Sequence, residues 1–114
     1  SRSLGKCATY VRLALKAGGL DVRHNPVAAA DYGAFLLARG FVQVTGDAVV
    51  AGDVAVMSGF RGRRKPHPYG HVQVFNGTQW VSDFVQDGFW PGGDYREAQP
   101  PSAIYRWDAS SPNG

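Results

Sequence analysis

GHVQVFNGTQWVSDF, residues 70–84, is the stretch that decides the fold. From His71 to Phe75 apolar and polar side chains alternate, so Val72 and Val74 share one face of a strand and His71 and Gln73 the other. Asn76-Gly77 is a strong hairpin signal, and Trp80–Phe84 reads as the returning strand. Outward from this hairpin the same period recurs in short runs. Phe41–Val44, Val49-Val50, Val54–Met57 and Ala103–Trp107 each read as a strand.

Before Gly40 the period is helical. Residues 7–17 carry Tyr10, Val11, Leu13, Ala14 and Ala17 at helical spacing, with Ser3 as a cap ahead and Gly18-Gly19 as a stop. Residues 28–39 read as a second helix through Tyr32, Phe35, Leu36 and Leu37, ending at Gly40. Residues 58–70 read as a Gly/Arg/Pro loop, and residues 85–102, with Pro91, Gly92, Gly93, Pro100 and Pro101, as a second irregular stretch. The order predicts an α+β fold, with N-terminal helices packed on one face of a small antiparallel sheet. No repeat or linker divides residues 1–114, so a single domain is expected.

Composition narrows the function. Hydrophobic residues are 44% and charged residues 18%, an ordinary globular balance. No apolar run reaches the roughly 20 residues that a membrane span needs. Arg12 and Lys16 interrupt Ala8–Leu20, so no signal peptide is visible. One cysteine excludes an internal disulfide, and the compartment stays open. No metal is expected, because Pro68 and Gly70 between His67 and His71 prevent a helical ligand pair. No other cofactor is indicated. The net charge of +3 is concentrated in Arg61, Arg63, Arg64 and Lys65. That cluster is either a solvated loop or a contact for an anionic partner: nucleic acid, an acidic cell-wall peptide or an acidic protein inhibitor. No stacking-aromatic motif or recognition-helix pattern supports nucleic acid.

Cys7 stands where the first helix begins. Unpaired N–H groups of a first turn carry partial positive charge, lower a thiol's pKa and can hold an oxyanion. Lys6 adds positive charge. A lone cysteine is more often a small buried hydrophobe. His71 changes the balance, because it opens a strand after the flexible Gly70 and is the base a thiol nucleophile needs. The base in turn needs an orienting group. A two-residue turn at Asn76-Gly77 sets His71 opposite Ser82, whereas a three-residue loop or a bulge sets it opposite Asp83. Asp83 is favoured on chemistry, with Asp87 in reserve.

Gly5-Lys6-Cys7-Ala8 followed by Tyr10-Val11-Arg12 resembles the nucleophile motif of the CHAP and NlpC-type amidases. Tyr69-Gly70-His71-Val72, about sixty residues downstream, is similar to their histidine strand, and Trp80-Val81-Ser82-Asp83 to the strand of their third polar residue. Lys6 departs from the glutamine that many CHAP domains carry before the cysteine. More narrowly, Trp80–Phe84, Phe89-Trp90-Pro91-Gly92 and Ile104-Tyr105-Arg106 resemble small type VI secretion amidase effectors, a likeness spanning roughly residues 3–107.

The resemblance implies a papain-like cysteine peptidase fold and hydrolysis of an amide in the peptidoglycan stem peptide or cross-link. It implies Cys7 as nucleophile, His71 as base and Asp83 as orienter, with the Cys7 N–H and Ser3 at the oxyanion. Arg61, Arg63, Arg64 and Lys65 would meet substrate carboxylates, and Tyr69 and Trp90 would wall the cleft. It also implies secretion by a producing bacterium, action in the periplasm of a target cell, and a cognate immunity protein as inhibitor. Two other classes are a noncatalytic basic domain binding nucleic acid, and a papain-like protease or acyltransferase acting on another substrate.

Overall fold

The computed structural model describes residues 11–16, 19, 28–46 and 48–108 in full, and residues 7–10 and 17 by backbone alone. Ser3, Lys6 and the Cys7 side chain lie outside the described residues. Helix α1 spans Cys7–Ala17, as its apolar spacing predicts. Val11 is fully buried and Leu15 packs on the core, while Leu13 on the other side is exposed. Gly19 N–H donates to Lys16 O at 3.0 Å and closes the last turn.

The second helix is shorter than expected. A 3-10 turn, Ala29–Asp31, runs directly into α2, Tyr32–Leu37. Neither start has a side-chain cap. Arg39 and Gly40 donate back to Leu36 and Leu37, three residues away, so the end tightens and stops at Gly40 with φ +95°.

Seven strands follow: β1 Phe41–Val44, β2 Val54–Met57, β3 Phe60–Arg61, β4 Pro66–His67, β5 His71–Phe75, β6 Trp80–Val81 and β7 Ser102–Trp107. Five form an antiparallel sheet in the order β1-β7-β2-β5-β6, and β3 and β4 form a separate two-stranded ribbon. Helix α3, Gly93–Ala98, lies between β6 and β7. The architecture is α+β with an antiparallel sheet.

Five further expectations need correction. Val49-Val50 is not a strand; Val50 enters a turn in which its N–H donates to Asp53 Oδ2 at 3.0 Å. The predicted loop 58–70 holds the β3–β4 ribbon, and the predicted irregular stretch 85–102 holds α3. The strand after the Asn76-Gly77 turn is only Trp80–Val81, because Ser82 N–H donates to Phe84 O at 3.0 Å and turns the chain back. The hairpin register is neither of the two considered. Phe75 pairs with Trp80 across a four-residue loop, in which Asn76 Oδ1 accepts the N–H groups of Thr78 and Gln79.

Sheet pleating separates two environments. Val54, Val56, Val72, Val74, Ala103 and Tyr105 face the helices and meet Val11, Ala29, Tyr32, Phe35 and Leu36 in one core. The alternate residues, Ala55, Met57, His71 and Gln73, are buried on the other face, under the segment that follows β6.

Candidate functional site

Gly70 and His71 open β5 beside Met57 of β2. Gly70 has φ +68°, and a Cβ there would run into Met57 O and the Ala30 methyl. Only glycine lets the chain enter the strand this close to β2. Tyr69 O, one residue earlier, accepts Ala30 N–H at 2.8 Å and ties the entry to the helical layer.

His71 is 3% exposed. Its Nε2 lies 3.1 Å from Gln86 Oε1, and its ring is tilted against Tyr95 at 5.8 Å. Burial pushes its pKa below the ordinary 6.5, because a charged ring loses water there; Gln86, the Asp83 charge and Gln73 oppose that shift only in part. The imidazole is therefore neutral at neutral pH and able to accept a proton. Gln73, also fully buried, donates from Nε2 to Phe89 O at 2.8 Å, and its Oε1 has no partner among the described residues.

Sequence reasoning missed Gln86. The chain reverses at Ser82–Phe84, Val85 bridges back to Val81, and Gln86 N–H donates to Trp80 O at 2.9 Å. This lays Gln86 beside β6 and under His71. Ser82 Oγ donates to the same Gln86 Oε1 at 3.2 Å. Asp83 stands at the reversal, not on a strand opposite His71, 3.4 Å from Ser82 Oγ, and acts on the ring through its charge. Asp87, next to Gln86 in the chain, is exposed.

Helix α1 packs along β5. Ala14, Leu15 and Gly19 line an apolar cavity with Val74, Gly52, Phe41 and Trp107, at the end of the sheet where β5 finishes. From Leu15 back to position 7 the helix runs about 12 Å at 1.5 Å per residue. From Val74 back to His71 the strand runs about 10 Å. The start of α1 thus lies toward the start of β5. Helix α1 covers the side of β5 that carries Val72 and Val74.

The basic cluster is partly neutralised inside the chain. Arg64 reaches Asp94 at 3.1 Å and Glu97 at 3.6 Å, and Arg63 reaches Glu97 at 3.4 Å. Asp94 is a buried hub of the ribbon. It accepts His67 Nε2 at 2.9 Å and the N–H groups of Arg64 and Lys65, and these bonds, led by His67, hold its carboxyl down to about 2. Arg61 and Lys65 are exposed, as is Tyr69, whereas Trp90 is half-buried edge-on to Phe89.

A chain in the crystal structure of the native type VI effector–immunity complex Tae3-Tai3 from Ralstonia pickettii is 41% identical to this one, with a TM-score of 0.82 over 94% of this chain and 86% of that one. The selenomethionine form of that complex matches at 41% identity and a TM-score of 0.78, covering 91% of this chain and 88% of that chain. No protein-family model matches the sequence, and no curated protein is significantly similar to it.

Proposed function

Because this chain belongs to the family represented in the type VI effector–immunity complex Tae3-Tai3, we propose that it is an effector: a papain-like cysteine amidase that hydrolyses an amide of the peptidoglycan stem peptide or cross-link. One observation carries this choice over an immunity protein. A buried histidine, held by a buried glutamine, opens β5 in a chain whose one cysteine begins α1. A protein that acts only by binding needs neither group.

In this mechanism His71 takes the Cys7 proton, and the thiolate attacks the amide carbon. The first-turn N–H groups of α1 hold the oxyanion, with Ser3 as a further donor. The amine leaves with a proton from His71, and water hydrolyses the thioester. Asp83 stabilises the imidazolium by its charge. Arg61 and Lys65 meet substrate carboxylates, with lesser parts for Arg63 and Arg64, which are already paired. Tyr69 and Trp90 wall the cleft. The protein is secreted by the producing cell, acts in the target periplasm, and is blocked there by an immunity protein.

The test is hydrolysis of purified muropeptides by the native chain and by Cys7→Ala. The native chain should cleave and Cys7→Ala should not, with an unchanged melting temperature. Directed to a bacterial periplasm, the native chain should lyse the host, and an immunity protein would not. Full cleavage by Cys7→Ala overturns the mechanism, and harmless native protein overturns the effector assignment.

A further inference from the structure

We propose that Gln86 is a positioning residue for His71, fixing the ring with its proton on Nε2 and leaving Nδ1 as the nitrogen that takes the thiol proton. The inference rests on the amidase reading for its catalytic consequence, but its structural half stands without it.

The orientation of the Gln86 amide follows from its own bonds. Nε2 donates to Gly88 O at 3.0 Å and to Phe89 O at 3.2 Å. Flipping the amide would set Oε1 against two carbonyl oxygens and its NH2 group against the Ser82 hydroxyl and the imidazole. In the observed orientation Oε1 accepts from Ser82 Oγ at 3.2 Å, and an amide oxygen offers His71 no donor. The Nε2 atom of His71, 3.1 Å away, must therefore carry the hydrogen. Gln86 is 1% exposed, and its backbone N–H is fixed to Trp80 O, so water does not compete for this bond and the side chain has little freedom.

The proton balance is simple. The Cys7 S–H bond breaks, its electron pair stays on sulfur, and the proton joins the Nδ1 lone pair. The ring becomes an imidazolium whose Nε2–H still points at Gln86. A neutral amide holds that direction without adding charge, so the resting ring stays neutral. A carboxylate in the same place would favour a charged resting ring.

The experiment uses the full chain labelled with 15N. Two-bond 1H–15N spectra give the His71 tautomer and titration in the native protein, Gln86→Leu and Gln86→Glu, beside the pH profile of muropeptide hydrolysis. The native ring should be protonated on Nε2. Gln86→Leu should mix the tautomers and lower kcat about 100-fold with KM unchanged, the scale of a misplaced reacting group. Gln86→Glu should keep the Nε2 proton, raise the His71 titration and move the acid limb of the profile upward. A native ring protonated on Nδ1, or a Gln86→Leu protein with native tautomer and profile, overturns the proposal. If Gln86→Leu does not fold, Gln86→Glu decides, and an unshifted His71 titration overturns it. A native chain with the expected tautomer behaviour but no muropeptide hydrolysis would refute the amidase reading and leave the positioning role intact.

Discussion

Gly70→Ala should be much more damaging than an alanine at another glycine of similar backbone conformation. Gly70 and Gly52 both have positive φ, +68° and +96°. A Cβ at Gly52 meets nothing within 4 Å, whereas one at Gly70 meets Met57 O in the neighbouring strand and Ala30 Cβ at 2.9 Å. Forcing an alanine into the left-handed region costs about 1–2 kcal/mol at either site. The contact with a strand carbonyl adds an overpacking cost of about 1–3 kcal/mol at Gly70 alone. The stiffening of the unfolded chain is common to both variants and cancels in the comparison. With an unfolding entropy of about 2.1 cal/mol/K per residue, 1 kcal/mol is worth roughly 4 °C in a chain of 114 residues. Calorimetry should then show Gly70→Ala melting roughly 4–12 °C below Gly52→Ala. Because Gly70 sets the entry of His71, muropeptide hydrolysis at a temperature where both variants are folded should fall only in Gly70→Ala. Equal melting temperatures for the two variants would refute the close approach of β5 to β2 as the reason for this glycine.

Burial sets a sign for the His71 titration. Its folded pKa lies below the ordinary 6.5, so the unfolded chain binds more protons and stability falls as the pH drops below about 6.5; urea midpoints at pH 7.5 and 5.5 should show this slope, and His71→Gln should flatten it. Asp94 keeps its charge down to about 2 against an ordinary 3.8, so the clamp on the ribbon is intact above 3.8 and is lost as the pH falls toward 2. Asp94→Asn should speed amide exchange at Arg64 and Lys65 at neutral pH, with β2 and β5 unaffected. Burial pushes the Asp53 carboxyl up, but two bonds of 2.8 Å from Arg106, the Val50 N–H and the Arg106 charge together outweigh it and hold the pKa below its ordinary value. Asp53→Ala should therefore lower the melting temperature through the β1–β7–β2 side of the sheet and leave the His71 titration unchanged.

The legible part of the fold was the part with a repeating period. Helix α1, β1, β2, β5 and β7 follow from apolar spacing, because each lays one face on a shared core. Helix α3 was hidden behind Pro91-Gly92-Gly93, which read as breakers although Gly92 is extended at φ −170° and simply leads into the helix. The β3–β4 ribbon is built on Asp94, 27 residues from His67, and a contact of that range leaves no local pattern.

The site divides in the same way. His71 was legible because a strand start after glycine is a local feature. Its partner was not, because it depends on where the chain leaves the sheet. Asn76-Gly77 suggests a two-residue turn, but Asn76 Oδ1 gathers the N–H groups of Thr78 and Gln79 and enlarges the loop to four residues. Carried on to His71, that register would place Phe84 opposite, and an aromatic side chain there would supply no acceptor. The early reversal at Ser82–Phe84 removes this outcome. It trades three residues of possible strand pairing for an amide oxygen on the imidazole and keeps Asp83 close enough to act by charge. A lengthened β6 is thus incompatible with the site. Substitutions that favour extended chain at Ser82 and Asp83, such as Ser82→Val with Asp83→Thr, should make β5 pairing more regular in amide-exchange protection and release the His71 tautomer. Greater protection with an unchanged tautomer would show that Gln86 is held by something other than the reversal.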